Sequence, residues 1–259
     1  MSAVLQPSDP PAQFVDGELA YTDEGSGAFT VLAVPGLPGS SRDFRWLAPA
    51  LADRCRVIRI DPPGYGASPR RGWSGMSTAE RAAAVRVVIE RLDVAPVVLV
   101  GHSAGGAVVA HLAAHHPELV KACVMVSSTG PRPHFGRAPL QVLALLLRMP
   151  PVRGVLTPLV RRLYAAQGFP GYLSDDERMF ALLDAAAFDF RDHRDNLAAM
   201  RRPTLVAWSM DDPIISASTF GQLADAVPAG PRLEFADGGH NPQKTHASGL
   251  ADAIVAFVG

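Results

Sequence analysis

Cysteine, charge of one sign and long apolar runs are all scarce in this chain, and each scarcity excludes something. Only two of the 259 residues are cysteine. Cys55 and Cys123 each sit in an apolar run that reads as a strand, so both are expected as small buried hydrophobes and no disulfide framework is implied. Lys+Arg of 24 against Asp+Glu of 25 leaves a formal charge of -1. Without a basic stripe there is no electrostatic footprint for nucleic acid. The most apolar segment, LQVLALLLRMPPVRGVL, is broken by Arg148, Pro150, Pro151 and Arg153 before it could span a bilayer. The N-terminal MSAVLQPSDPPAQ lacks a basic and then apolar leader pattern, so no signal peptide and a soluble, cytoplasmic protein are expected.

Cofactor signatures are missing as well. There is no G-x-x-x-x-G-K-[ST] phosphate loop, and the GYG at 64–66 lacks dinucleotide-binding spacing. His111 and His115 stand at i and i+4, but no glutamate follows the first as H-E-x-x-H requires. Both are therefore expected as polar residues on a helix surface, and neither a metal nor a cofactor is expected.

What the chain does have is alternation. At 48% hydrophobic and 19% charged it suits a globular enzyme rather than a disordered segment. Short apolar runs at 29–34, 56–60, 97–100, 122–128, 204–209 and 232–236 read as buried strands. Amphipathic patterns at 41–52, 78–92, 104–116, 216–227 and 245–258 read as helices between them. Ser77 and Glu80 have capping-box spacing at the second of these. This order predicts an α/β fold with a mostly parallel central sheet flanked by helices. Asp16-Gly17 favours positive φ and predicts an N-terminal hairpin.

One connection breaks the rhythm. No strand is evident from Gly130 to about Arg202, and a link this long inside a domain is usually functional or a subdomain. Residues 131–202 are therefore expected to form a helical cap, inserted into a core made of 1–130 and 203–259. The first half of that cap, 131–174, carries Arg132, Arg137, Arg148, Arg153, Arg161 and Arg162 and no Asp or Glu. Such arginines are commonly solvated on a lid's outer face. If they act on a ligand, an acidic acyl group or a lipid surface is what they would favour.

The chemistry concentrates at VVLVGHSAGG, residues 97–106. A buried strand runs into Gly101-His102-Ser103-Ala104-Gly105, a complete G-x-S-x-G, and an amphipathic helix follows. This is the context in which a serine is held on a sharp strand-to-helix turn, where side chains two positions away would clash. The helix N-terminus adds a partial positive charge where an oxyanion would form. A serine nucleophile needs a base, and the base an orienting acid. Downstream, Asp211 and Asp212 both follow the strand TLVAWS, and His240 follows RLEFA on a Gly-Gly hinge.

These features together resemble the α/β-hydrolase superfamily, from about Val15 to the C-terminus. VGHSAGG resembles its nucleophile elbow, LVAWSMDDPI its acid loop, DGGHNP its histidine loop and DPPGYGAS (61–68) its Asp-x-x-Gly-x-Gly-x-Ser turn. Aligning Asp212-Pro213 with the family's Asp-Pro puts Ser209 at a usual glycine and favours Asp212 over Asp211. The resemblance implies a Ser103, Asp212, His240 triad and an oxyanion hole from the backbone N–H groups of Leu37 and Ala104. One departure is that Pro35 replaces the family's His in the VPGLPGS loop, while Gly36 remains.

Ser103 argues against the haloalkane dehalogenases and epoxide hydrolases, which carry a carboxylate there. Carbon–carbon hydrolases share the serine, but many have tryptophan directly after the histidine, where this chain has Asn241. The expected function is a carboxylesterase-like serine hydrolase acting on esters of small to medium acyl groups. The alternatives are a cofactor-free haloperoxidase or perhydrolase, a C–C hydrolase, or a ligand-binding or non-hydrolytic biosynthetic protein on the same fold. Gly36, His102, Leu143, Leu147, Phe169 and Tyr172 are the expected substrate contacts. The expected partner is a small-molecule ester, bound by a monomer or homodimer.

Overall fold

The computed structural model describes residues 6–133, 137–166, 168–169 and 171–259. Met1–Leu5, where the reading of a missing leader begins, and the side chain of Arg137 lie outside the described residues. The six apolar runs become strands and the N-terminal hairpin adds two, eight among the described residues. β1 (Gln13–Val15) and β2 (Leu19–Glu24) form the N-terminal hairpin, with Asp16 and Gly17 at φ +53° and +72° in its turn. β3 (Thr30–Val34), β4 (Arg56–Ile60), β5 (Val97–His102) and β6 (Val120–Val126) follow, then β7 (Thr204–Ser209) and β8 (Arg232–Phe235). They make one sheet in the order β1-β2-β4-β3-β5-β6-β7-β8. Only the β1–β2 and β2–β4 pairs are antiparallel. β5 lies in the interior of this sheet and every residue of it is buried. Covered on both faces, it reads as a continuous apolar run instead of an alternation.

Helices cover both faces. α1 (Leu47–Leu51) lies on one face, and α2 (Thr78–Arg91) and α3 (Gly105–His115) lie on the other. Val85, Ile89, Val108 and Leu112 of α2 and α3 pack with Leu99 and Met125 of the sheet. Between β6 and β7 come α4 (Arg137–Leu147), α5 (Pro150–Ala166), α6 (Asp175–Ala187) and α7 (Phe190–Ala199). α8 (Ala217–Ala226), α9 (Pro242–Thr245) and α10 (Ala247–Val258) complete the chain. Leu250 and Ile254 of α10 join Leu47 and Leu51 against Val98 and Val124. No helix among the described residues is long and apolar enough to cross a membrane.

The stretch 41–52, expected as one helix, divides into a 3-10 turn at Ser41–Phe44 and the short α1. The Asp61 carboxylate accepts from Ser41 N at 2.7 Å, which pins the start of the turn to the end of β4. The four inserted helices also divide. α4 and α5 pack on each other and on α6, whereas α7 lies along α3 of the core. His115 Nε2 meets Asn196 Oδ1 of α7 at 2.9 Å, and Asn196 also contacts His111. The two rings are tilted with centroids 4.5 Å apart, and both contact α7; His115 is exposed, as expected of a helix-surface residue, while His111 is half-buried.

A buried ionic latch joins α6 to the loop after β4. Asp184 is 1% exposed and Arg70 3% at the side chain, with Nη2 2.7 Å from Oδ1 and Nη1 2.9 Å from Oδ2. The same carboxylate accepts from Tyr65 Oη at 2.9 Å and Met76 N at 2.8 Å. Removing one partner of a buried, fully bonded pair leaves an uncompensated charge. Asp184→Ala is therefore expected to destabilise the protein by about 3–5 kcal/mol, seen as a lower urea midpoint. A loss under about 1 kcal/mol would show that water reaches Arg70 freely.

Candidate active site

The loops at the C-terminal ends of the parallel strands converge on a cavity of about 370 Å³, which holds Ser103 and His240 in its wall. Ser103 follows β5 at φ +51°, in the left-handed region that non-glycine residues rarely occupy. Its own backbone holds it there. Ser103 N donates to Val126 O at 3.0 Å, and Ser103 O accepts from Gly106 N at 3.1 Å and Ser128 Oγ at 3.1 Å. The glycines are required by close approach. A Cβ on Gly101 would lie 2.7 Å from the backbone of Gly105 and Gly106, and one on Gly105 would lie 2.2 Å from Val34 O. The oxyanion-loop candidate is equally close, since a Cβ on Gly36 would come within 2.9 Å of Ser103 Cβ.

Both aspartates after β7 are engaged, on different partners. Asp212 Oδ2 lies 2.7 Å from His240 Nδ1, with the two side chains 1% and 11% exposed. Burial alone would raise the pKa of Asp212. The bond and charge of His240, with the amides of Ile215 and Ile214 on Oδ1, outweigh it and hold the carboxyl below its ordinary value. Asp211 instead accepts from Gly239 N at 2.8 Å and Gly238 N at 3.3 Å, bracing the loop that carries His240. Ser209, at the position where the family resemblance puts glycine, is fully buried. Its Oγ would meet a Cβ on Gly238 at 2.8 Å, so the extra hydroxymethyl is accommodated only because residue 238 has no side chain.

His102 packs beside the pair. Its Nε2 donates to His240 O at 2.7 Å, and the two imidazoles lie 4.9 Å apart. Burial, and then the neighbouring His240, push its pKa down to about 3, so it stays neutral and fixes the His240 backbone. The Asp61 turn supports the opposite wall. Asp61 Oδ2 accepts from Ala67 N at 2.8 Å while Oδ1 holds Ser41 N, which tethers the loop after β3. This tether acts on the VPGLPGS loop where the family's histidine is replaced by Pro35.

Among the expected substrate contacts, Gly36, His102, Phe169 and Tyr172 line the cavity, as does Leu37, expected as an oxyanion donor. Ala104 stands at the N-terminus of α3, next to Ser103. Leu143 and Leu147 do not line it. Leu147 is fully buried and Leu143 half-buried against Val160, Tyr164, Leu173 and Met179, so both pack the interior between α4, α5 and α6. A helical period reports that one face is covered without saying by what.

The cavity also holds residues that sequence reasoning missed, among them Asp43, Pro213, Ile214 and Lys244. Asp43 sits under Gly39, where a Cβ would lie 2.4 Å from its Oδ2. Burial, reinforced by Asp61 and opposed by Arg45 and the backbone of Ser40, pushes its carboxyl up to about 7. The folded state thus holds this proton where the unfolded chain, near 3.8, has lost it. Stability from this group is complete below about pH 4 and is lost as pH rises toward about 7. Asp43→Asn should remove that slope and gain on the order of 4 kcal/mol over wild type at pH 8 relative to pH 4. Thermal melts at the two pH values check it, and parallel curves for both proteins would contradict it.

A family model described as alpha/beta hydrolase fold matches residues 30–152. The chain is 31% identical over 251 residues to the dihydrolipoyllysine-residue acetyltransferase component of the acetoin cleaving system of Cupriavidus necator. That match covers 90% of this chain and 65% of the relative, so the chain spans under two thirds of its length. It is 26% identical over 272 residues to a 2-hydroxy-6-oxononadienedioate/2-hydroxy-6-oxononatrienedioate hydrolase of Cupriavidus pinatubonensis, covering 94% of this chain and 93% of that one. In structure it is similar to a thermophilic esterase of Thermogutta terrifontis, with a TM-score of 0.73, 21% identity and 91% of each chain covered. With its eight-stranded, mostly parallel sheet and helices on both faces, the chain has the α/β-hydrolase fold.

Proposed function

We propose that the protein is a serine hydrolase that cleaves carboxylic esters of small to medium acyl groups through an acyl-enzyme on Ser103. The observation that carries this is the 2.7 Å bond from His240 Nδ1 to the buried Asp212, in the wall of the cavity that holds Ser103. With Nδ1–H committed to Asp212, Nε2 is left with the lone pair that can take a proton. Ser103 Oγ attacks the ester carbonyl and its proton passes to His240 Nε2. Asp212 stabilises the resulting imidazolium. The N–H groups of Leu37 and Ala104 donate to the tetrahedral oxyanion, each worth about 3 kcal/mol in such sites. His240 returns the proton to the leaving alcohol, and water then enters by the same route to release the acid.

A second reading, cleavage of a carbon–carbon bond beside a ketone, is favoured by the hydrolase from Cupriavidus pinatubonensis, a relative whose name specifies a dioate substrate. Lys244 in the cavity wall could meet such a carboxylate. Against it, Asn241 stands where many such enzymes carry tryptophan. Hydrolysis of p-nitrophenyl esters from acetate to decanoate tests the first reading. Release of p-nitrophenol with an optimum at short or medium chains supports it. Inactivity on every ester, with turnover of a vinylogous 1,5-diketone acid, would establish the second reading in its place.

A further inference from the structure

The cap turns apolar side chains outward. A helix on a globular surface normally presents a polar outer face. On α4 the residues Val142 and Leu145, just after it Met149, and on α5 Val155, Leu159 and Leu163, are instead between 50% and 78% exposed. Within each helix they recur at three- and four-residue spacing and form one stripe. The opposite sides, including Leu147, Val160 and Tyr164, are buried in the cap's own core. α4 and α5 pack on each other, and each carries its stripe on a solvent-exposed face. Together they expose roughly 500 Å² of apolar surface, the scale that marks an interaction site on a monomer.

Charge selects the occupant. Residues 131–174 contain six arginines and no acidic residue. Arg161 pairs with Asp175, and Arg153 lies over the Trp73 ring at 3.8 Å. Arg132, Arg148 and Arg162 are exposed, the last two within a turn of Leu145 and Leu159. A second copy docked about a two-fold axis would set arginine against arginine. A surface that is apolar in depth and anionic at its rim meets both features. From this we infer that the outer face of α4 and α5 docks on an anionic lipid bilayer. The site lies nearby, because α5 ends at Ala166 and Gly168, Phe169, Tyr172 and Leu173 just beyond it line the cavity.

Co-sedimentation with phosphatidylcholine vesicles, with and without phosphatidylglycerol, tests this without reference to any ester. The wild type should partition onto the anionic vesicles and detach in high salt. Val155→Asp with Leu159→Asp should lower that partition at least about tenfold, and Arg148→Gln with Arg162→Gln should erase the preference for anionic lipid. Both pairs are exposed, so unchanged melting curves are expected to accompany the loss. Three results would overturn the inference. One is no sedimentation with either vesicle, which would leave the face to an acidic protein partner. Another is binding that the variants do not alter. The third is a lipid-free dimer, by sedimentation velocity, that the aspartate variant turns into monomer.

Discussion

Replacing Ser103 by alanine is expected to lower ester turnover by about a million-fold, leaving only the residual rate that the oxyanion hole and binding supply. A serine–histidine–aspartate set acts as a unit, so the loss of the nucleophile leaves nothing for His240 to deprotonate. The fold should survive the change. Ser103 is held at φ +51° by main-chain bonds to Val126 and Ser128, and none of them uses its hydroxyl. Backbone strain of that kind is concentrated at functional sites. A second variant makes the point sharper. Ser103→Gly should be as inactive as the alanine variant and more stable than wild type by about 1 kcal/mol, because glycine adopts positive φ without penalty. An alanine variant that retained a tenth of the activity would place the nucleophile elsewhere.

Asp212→Asn is expected to lower kcat by about 10⁴-fold with little change in structure. The reason lies in the amides of Ile214 and Ile215, which donate to Oδ1 at 2.8 and 3.0 Å. The asparagine carbonyl must take that place, which turns its NH₂ toward His240 Nδ1. Nδ1 then has to accept, the proton moves to Nε2, and the imidazole can no longer take the Ser103 proton. Asp211→Asn is the control. Asp211 braces Gly238 and Gly239 and does not bond His240, so its loss should cost about tenfold or less. Equal effects at the two positions would mean that loop bracing, not the tautomer, governs the rate.

Much of this architecture is legible in the linear chain, for identifiable reasons. The sheet is readable because strands buried on both faces must be continuously apolar, as 97–100 and 204–209 are. The elbow is readable because close approach leaves no room for side chains at 101 and 105. Ser77 and Glu80 announce the start of α2 by their spacing, and Ser174 and Glu177 cap α6 in the same way. Between Asp211 and Asp212 only the Asp-Pro resemblance favours Asp212; what separates them physically, the bond to His240 against the bonds to Gly238 and Gly239, exists only in the fold. Asp43 gave no signal. A lone acid in SSRDFRW looks solvated, and only folding sets it beneath Gly39 in the cavity wall. The Asp184 latch was equally silent, since its partners lie 108 to 119 residues away in the chain. Leu143 and Leu147 mark the same limit, because periodicity identifies a covered face and not its cover.

The central claim is that Ser103 is a nucleophile made reactive by His240 and Asp212. Treating the folded protein with a fluorophosphonate and mapping the adduct by peptide mass tests it most directly. The account predicts one phosphonate per chain, on Ser103, absent from Ser103→Ala and much slower to form in Asp212→Asn. No adduct on the wild type, or one that persists in the alanine variant, would contradict it.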